Sequence, residues 1–203
     1  LCKSCTAVCP AGVDIPSIMM AARAEKCRQS GIGFPFNLVY RHILPHRVLF
    51  GNSVKLGGIA QKLFFPRAHG TLRHLPLFLS AFGKGRHIPQ LADKFFRQTI
   101  PEVNPPTDTK VKLRVGYFTG CITDFMYPAM GHKIVNFLNR HGVEVVVPRG
   151  QGCCGAPVYM GAGDFETGRK IADENVKAFE KLDYVIVDCA TCGSALHDYP
   201  KYL

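Results

Sequence analysis

Several absences narrow what this chain can be. No apolar run reaches the roughly 18 residues that a spanning helix needs, and no signal peptide opens the sequence. No HExxH, no carboxylate pair and no Ser/His/Asp set points to hydrolysis. Gly161-x-Gly163 lacks the full G-x-G-x-x-G and does not follow a strand directly, which argues against NAD binding. Acids are scarce, with 15 Asp and Glu against 25 Lys and Arg, for a net charge of +10. The first residue is Leu1 rather than Met and a cysteine motif begins at once, so the expectation is a fragment of a longer protein. With 47% hydrophobic and 20% charged residues, the composition is that of a globular chain and not a disordered one.

Cysteine is what the chain has in plenty. The nine are Cys2, Cys5, Cys9, Cys27, Cys121, Cys153, Cys154, Cys189 and Cys192. An odd number cannot pair fully within the chain, and without an export signal clustered cysteines read as metal ligands or redox groups. Cys27 falls among Met and Ala on a helix face and reads as a small buried hydrophobe.

The charge divides the chain. Residues 1–110 hold 15 Lys/Arg against 5 Asp/Glu, whereas residues 111–203 hold 10 of each. Residues 16–29 read as a helix with Pro16 in its first turn and Ile18, Met19, Ala22 and Cys27 on one face. Residues 34–100 read as short helices broken by Gly and Pro, and residues 101–110 as a stiff, polar linker that marks a domain boundary. Beyond it the pattern changes. Strands are expected at 111–118, 143–147 and 184–187. Helices are expected at 129–140, with Ile134, Val135, Phe137 and Leu138 as the apolar stripe, and at 164–182, capped by Asp164 with Ile171, Val176 and Phe179 inward. Alternating strands and helices imply a parallel sheet with right-handed crossovers. The expected fold is α+β overall, with a helical ferredoxin-type segment at 1–30, a basic helical connector at 31–110 and an α/β domain with a parallel sheet at 111–203.

Two constellations carry chemistry. Cys2-x2-Cys5-x3-Cys9-Pro10 matches the last part of the bacterial ferredoxin run C-x2-C-x2-C-x3-C-P. Close spacing lets successive thiolates wrap one corner of a cubane, and the cysteine before proline reaches a second cluster in two-cluster proteins. Cys2 and Cys5 are thus expected on one [4Fe–4S] cluster and Cys9 on another. A zinc loop is the rival, although zinc sites usually show two C-x2-C pairs. The second constellation is Cys121, 31 residues, Cys153-Cys154-Gly155, 33 residues, then Cys189-x2-Cys192. Each part follows an expected strand, which gathers the sulfurs at the carboxyl edge of one sheet. Five sulfurs exceed the four that a tetrahedral zinc takes, while a four-thiolate zinc site or a redox dithiol at Cys189-x2-Cys192 stays open.

The pattern C-x31-CCG-x33-C-x2-C resembles the cysteine-rich CCG domain found in heterodisulfide reductase. That domain also occurs in succinate:quinone reductase-like subunits and in the iron–sulfur subunits of glycolate oxidase, lactate-utilisation and anaerobic glycerol-3-phosphate dehydrogenase systems. The phrases CTAVCPAGVDIP, GYFTGCITDFMYP and GQGCCGAPVYMGAGD most resemble the glycolate oxidase and lactate-utilisation branch. In that branch a two-cluster ferredoxin module precedes two CCG modules, whereas this chain carries part of one and one. The resemblance implies that Cys121, Cys153, Cys154, Cys189 and Cys192 bind an iron–sulfur cluster, either noncubane or a plain [4Fe–4S] with one spare cysteine. It further implies an electron-transfer subunit of a 2-hydroxy-acid oxidoreductase. Electrons from FAD on a partner dehydrogenase subunit would pass toward a quinone or another acceptor, and the substrate site would lie on that partner. The alternatives are a heterodisulfide reductase-like subunit with a catalytic CCG cluster and a zinc-stabilised interaction module.

The basic, Phe-rich middle reads either as a solvated connector or as a surface for an anionic membrane or an acidic partner. The prolines argue against a base-stacking nucleic-acid module, so no nucleic-acid partner is expected. A cytoplasmic location, peripheral on the inner membrane face, fits these readings. The histidines read as surface or packed residues, with His132 and His197 near the cysteine edge.

Overall fold

The computed structural model describes residues 4–65, 72–74, 87–107 and 110–202. Two compact units emerge, each made of separated stretches of chain, Val48–Arg149 with Leu182–Ile186 in one and Leu1–Arg47, Gly150–Lys181 and Val187–Leu203 in the other. These divisions differ from the segments 1–30, 31–110 and 111–203 of the sequence reading. Strand pairing and helix packing, not chain order, decide which residues cohere.

The first unit is built on a four-stranded sheet of order β3-β5-β4-β6, from β3 (Val103–Asn104), β4 (Leu113–Phe118), β5 (Val143–Val146) and β6 (Val185–Val187). β4 and β5 run parallel, with Val115 opposite Val145, as a strand–helix–strand crossover requires. β3 is the departure. Inside the stretch read as a linker, Val103 and Asn104 pair antiparallel with Val146 and Val145 and close one edge. Asn104 also donates through Nδ2 to Val145 O. α6 (Pro128–Arg140) is the crossover helix, opened by Pro128. Its Val135 joins Phe96, Ile100, Val115, Tyr117, Val145 and Val147 in the core, with Ile134 and Leu138 packed against it. Phe137, expected in that stripe, is exposed and stacks on His141 instead, because it lies off the arc shared by residues 134, 135 and 138. At Gly131 a Cβ would stand 2.7 Å from the Phe96 ring, so glycine is what lets α6 close on the core. Arg97, on α4 (Phe96–Thr99), donates through Nε to Asp124 at 2.7 Å and forms a buried ion pair. In place of short broken helices, α3 (Arg47–Phe64) runs 18 residues through three glycines. A short ladder pairs β1 (Leu72–His74) with β2 (His87–Pro89).

The second unit is helical. α1 (Ser4–Ala7) leads into α2 (Ile15–Ser30), whose cap Asp14 accepts from the Ser17 N–H and hydroxyl. Pro16 and Met20 are its buried residues, while Ile18 and Met19 are exposed. The inward stripe is therefore turned from the one read off the sequence, toward residues 16, 20, 23 and 27. α7 (Phe165–Phe179) is capped by Asp164 as expected, and α8 (Ala190–Tyr202) ends beside α2, where Tyr202 and Ser17 hydroxyls meet. Two π-helical turns, Leu38–Ile43 and Pro157–Ala162, complete the unit. Gly163, at φ +79°, ends the second, and a Cβ there would overlap the backbone of Arg23 and Ala24. Among the described residues no helix is long and apolar enough to cross a membrane.

Candidate metal centre

The loop after β5 turns through Gly155, at φ +75°, and carries Cys153 and Cys154 inward. The loop after β6 delivers Cys189, and the first turn of α8 delivers Cys192. Cys153, Cys154 and Cys192 are buried and Cys189 half-buried. The Cys154 thiol lies in hydrogen-bonding contact with those of Cys153 and Cys192, and Cys192 in turn with Cys189. One unit thus gathers four of the five expected sulfurs. Cys121 is the exposed first residue of α5 (Cys121–Phe125), directly after β4, and belongs to the sheet unit.

Backbone dipoles favour negative charge at these sulfurs. The Gly155 N–H points at Cys153 Sγ from 3.5 Å. The hydrogen bonds from Cys153 and Cys192, helped by the N–H of Ala156, hold the Cys154 thiol far below its ordinary range against the cost of burial. The same contact with Cys154, together with burial, pushes Cys192 up. Cys154 is the thiolate of the set.

A polar brace fixes the loop. Asn175 of α7 is 1% exposed. Its Oδ1 accepts from the Gly152 N–H at 2.8 Å, and its Nδ2 donates to Cys153 O at 2.8 Å and to the Tyr199 hydroxyl at 3.1 Å. Tyr199 of α8 then donates to Cys154 O at 2.9 Å. Burial and nearby thiolates push the Tyr199 phenol up, so it stays protonated and keeps donating. Both carbonyls of the cysteine pair are tied to side chains while N–H groups face the sulfurs. The sequence reading missed this brace, having placed Val176 inward, where the structure buries Asn175 and leaves Val176 58% exposed. A polar residue at the inward register of an amphipathic helix was the signal available.

The donor set fits an iron–sulfur group. Soft thiolates from two loops, three of them buried and met by backbone N–H donors, are what such clusters take. Among the described residues no three Cys, His, Asp or Glu side chains converge as ligands of one metal ion. A polynuclear cluster does not ask for that, since each thiolate takes its own iron.

In the N-terminal run, Cys5 lies in α1 and is exposed, Cys9 follows half-buried, and Cys2 lies outside the described residues. Backbone N–H groups of Val13, Ala11 and Gly12 hold the Cys9 thiol below its ordinary range. The Cys9-Pro10 loop therefore presents a cradle of amides to its sulfur. Cys27, read as a buried hydrophobe, is half-buried beside Arg41. His132 bonds the Thr99 hydroxyl at 2.9 Å, and exposed His197 lies next to Asp198.

The model of the cysteine-rich CCG domain family matches residues 115–197. Across its whole length the chain is 30% identical to the "Probable glycolate oxidase iron-sulfur subunit" of Bacillus subtilis (strain 168), of which it spans 47%. Over 44% of the chain it is 41% identical to a subunit of the fumarate reductase (CoM/CoB) of Methanothermobacter marburgensis, spanning 18% of that protein. Over another 44% it is 36% identical to "Lactate utilization protein A 2" of Bacillus cereus, spanning 36%. The chain thus spans less than half the length of these relatives, and no solved structure matches it. Residues 115–197, which hold the paired cysteines, the brace and Cys192, are a cysteine-rich CCG domain, in a chain related throughout to iron–sulfur subunits of oxidoreductases.

Proposed function

We propose that the chain relays electrons as the iron–sulfur subunit of a glycolate- or lactate-oxidising enzyme. A partner flavin subunit, carrying FAD and the substrate site, supplies the electrons, and a quinone or another acceptor takes them. The observation that carries this is the thiol quartet Cys153, Cys154, Cys189 and Cys192, gathered in one unit with amides turned to the sulfurs and carbonyls tied away. Cys121 joins the proposed ligand set on its motif, as do Cys2, Cys5 and Cys9 for cubane clusters at the N-terminal run. A bound cluster supplies one-electron chemistry, which a two-electron flavin needs downstream. The chain's own part is to set that potential through burial and N–H donors.

Cys154→Ser, made in the full chain, is expected to lower iron and sulfide while leaving the N-terminal cluster's EPR signal. Unchanged iron would sink the assignment. One zinc and no iron in the parent protein would give the site to zinc.

A second reading rests on the similarity to the fumarate reductase (CoM/CoB) protein. Here the CCG cluster itself reduces a disulfide, and an EPR signal that changes on adding a thiol separates this reading from plain relay. The charge of +10 supports contact with an anionic membrane face on the cytoplasmic side. On α3 that charge accompanies exposed Val48, Leu56, Ile59 and Leu63.

A further inference from the structure

The helical unit contains a cavity of about 440 Å³ that the cysteine motifs do not use. Its size falls in the range of roughly 300–1,000 Å³ typical of small-molecule sites. Both π-helical turns border it, Leu38–Ile43 through Tyr40 and Pro157–Ala162 through Gly161 and Ala162. Such turns are uncommon and gather at functional sites.

Its walls are fixed in advance. Arg23 of α2 donates through Nη1 to Met160 O at 2.7 Å, pinning the second turn. Arg41 of the first turn donates through Nε to the buried Asp164 carboxylate at 2.7 Å, pinning the first. Burial raises the Asp164 carboxyl, but Arg41 and the Thr167 N–H and hydroxyl outweigh it and keep it ionised.

Its chemistry is uneven. Arg23 has further N–H donors beyond the one given to Met160, and Lys26 stands one turn along the same face. Among the described residues neither pairs with an acid, and the neighbouring Glu25 is held by Arg28 and Gln29. Across from these cations lie the rings of Phe36 and Tyr40, with centroids 5.8 Å apart. Gly31 and Gly33 leave the rim open to close approach.

Two cations beside two rings in a preformed hollow select a ligand with a flat ring and an anionic group. We infer that this cavity binds a planar organic anion of mononucleotide size. The cations hold the phosphate or carboxylate, and the rings cover the flat part. The inference stands apart from the electron-relay reading.

Cys27 lines the same cavity and lies in neither cluster motif, so its thiol reports occupancy. The probes are flavin mononucleotide and AMP, which carry ring and phosphate, with riboflavin for the ring alone and inorganic phosphate for the charge alone. In the cluster-loaded full chain, the rate of Cys27 alkylation by N-ethylmaleimide is followed by peptide mass. The expected result is that at least one nucleotide slows it tenfold or more and saturably, while riboflavin and phosphate do so at least tenfold less effectively. Lys26→Gln and Arg23→Gln should each abolish the protection without changing iron content. Lys26→Gln is the cleaner test, since Arg23 also holds Met160. If neither nucleotide slows alkylation, if phosphate alone protects as well, or if protection survives Lys26→Gln, the inference is overturned. Loss of clusters with protection intact would instead count against the relay alone.

Discussion

Asn175 makes three hydrogen bonds with one carboxamide, to Gly152, Cys153 and Tyr199. Truncation to Ala leaves a buried N–H and a buried carbonyl unpaired, a loss of about 1–3 kcal/mol each before any rearrangement. Asn175→Ala should therefore lower the denaturant midpoint and the iron retained, and Tyr199→Phe, which frees only the Cys154 carbonyl, should do both more weakly. Equal midpoints in Asn175→Ala and the parent would show that the brace contributes nothing to stability. Spacing alone made the cysteines legible, because a thiolate cluster demands a fixed residue type at fixed intervals. Asn175 was not legible, because an apolar neighbour, Val176, offered a more usual inward residue. Phe137 went astray for the same reason, since hydrophobicity names a candidate for the core and only the helical arc decides.

At the scale of elements, β4, β5, β6, α6 and α7 were readable because each alternates or repeats over several residues. β3 was not, since a two-residue strand leaves no pattern and exists only by pairing with β5. α3 hid behind its glycines, which sequence reasoning counts as stops. The cap of α7 was readable at Asp164, but its partner Arg41 comes from far along the chain. That pair has a pH signature. Asp164 titrates lower in the folded state than in the unfolded one, where it titrates near 3.9. Its contribution is therefore complete above that value and is lost as pH falls through the folded one. Asp164→Asn keeps a good cap but not the charge. Denaturant unfolding at pH 7 and at pH 3 should show a smaller acid loss in the variant than in the parent. Equal losses would remove Asp164 from the account.

For the whole molecule, charge is the property easiest to read and test. Vesicles of anionic lipid should retain the full chain at low salt and release it at about 1 M, where screening length drops to roughly 3 Å. Neutral vesicles should not retain it, and equal retention on both would overturn the electrostatic reading. What the sequence concealed at this scale is that the units interleave. The helical unit draws on residues 1–47, 150–181 and 187–203, and the sheet unit on those between. This sets a timetable for synthesis. As the chain leaves the ribosome, Cys5 and Cys9 emerge long before the stretches that complete their unit, while most of the sheet unit is already available to fold. Iron delivered early would meet only the N-terminal thiols. The CCG quartet exists as a site only after Cys192 has emerged, so its metal has to arrive last.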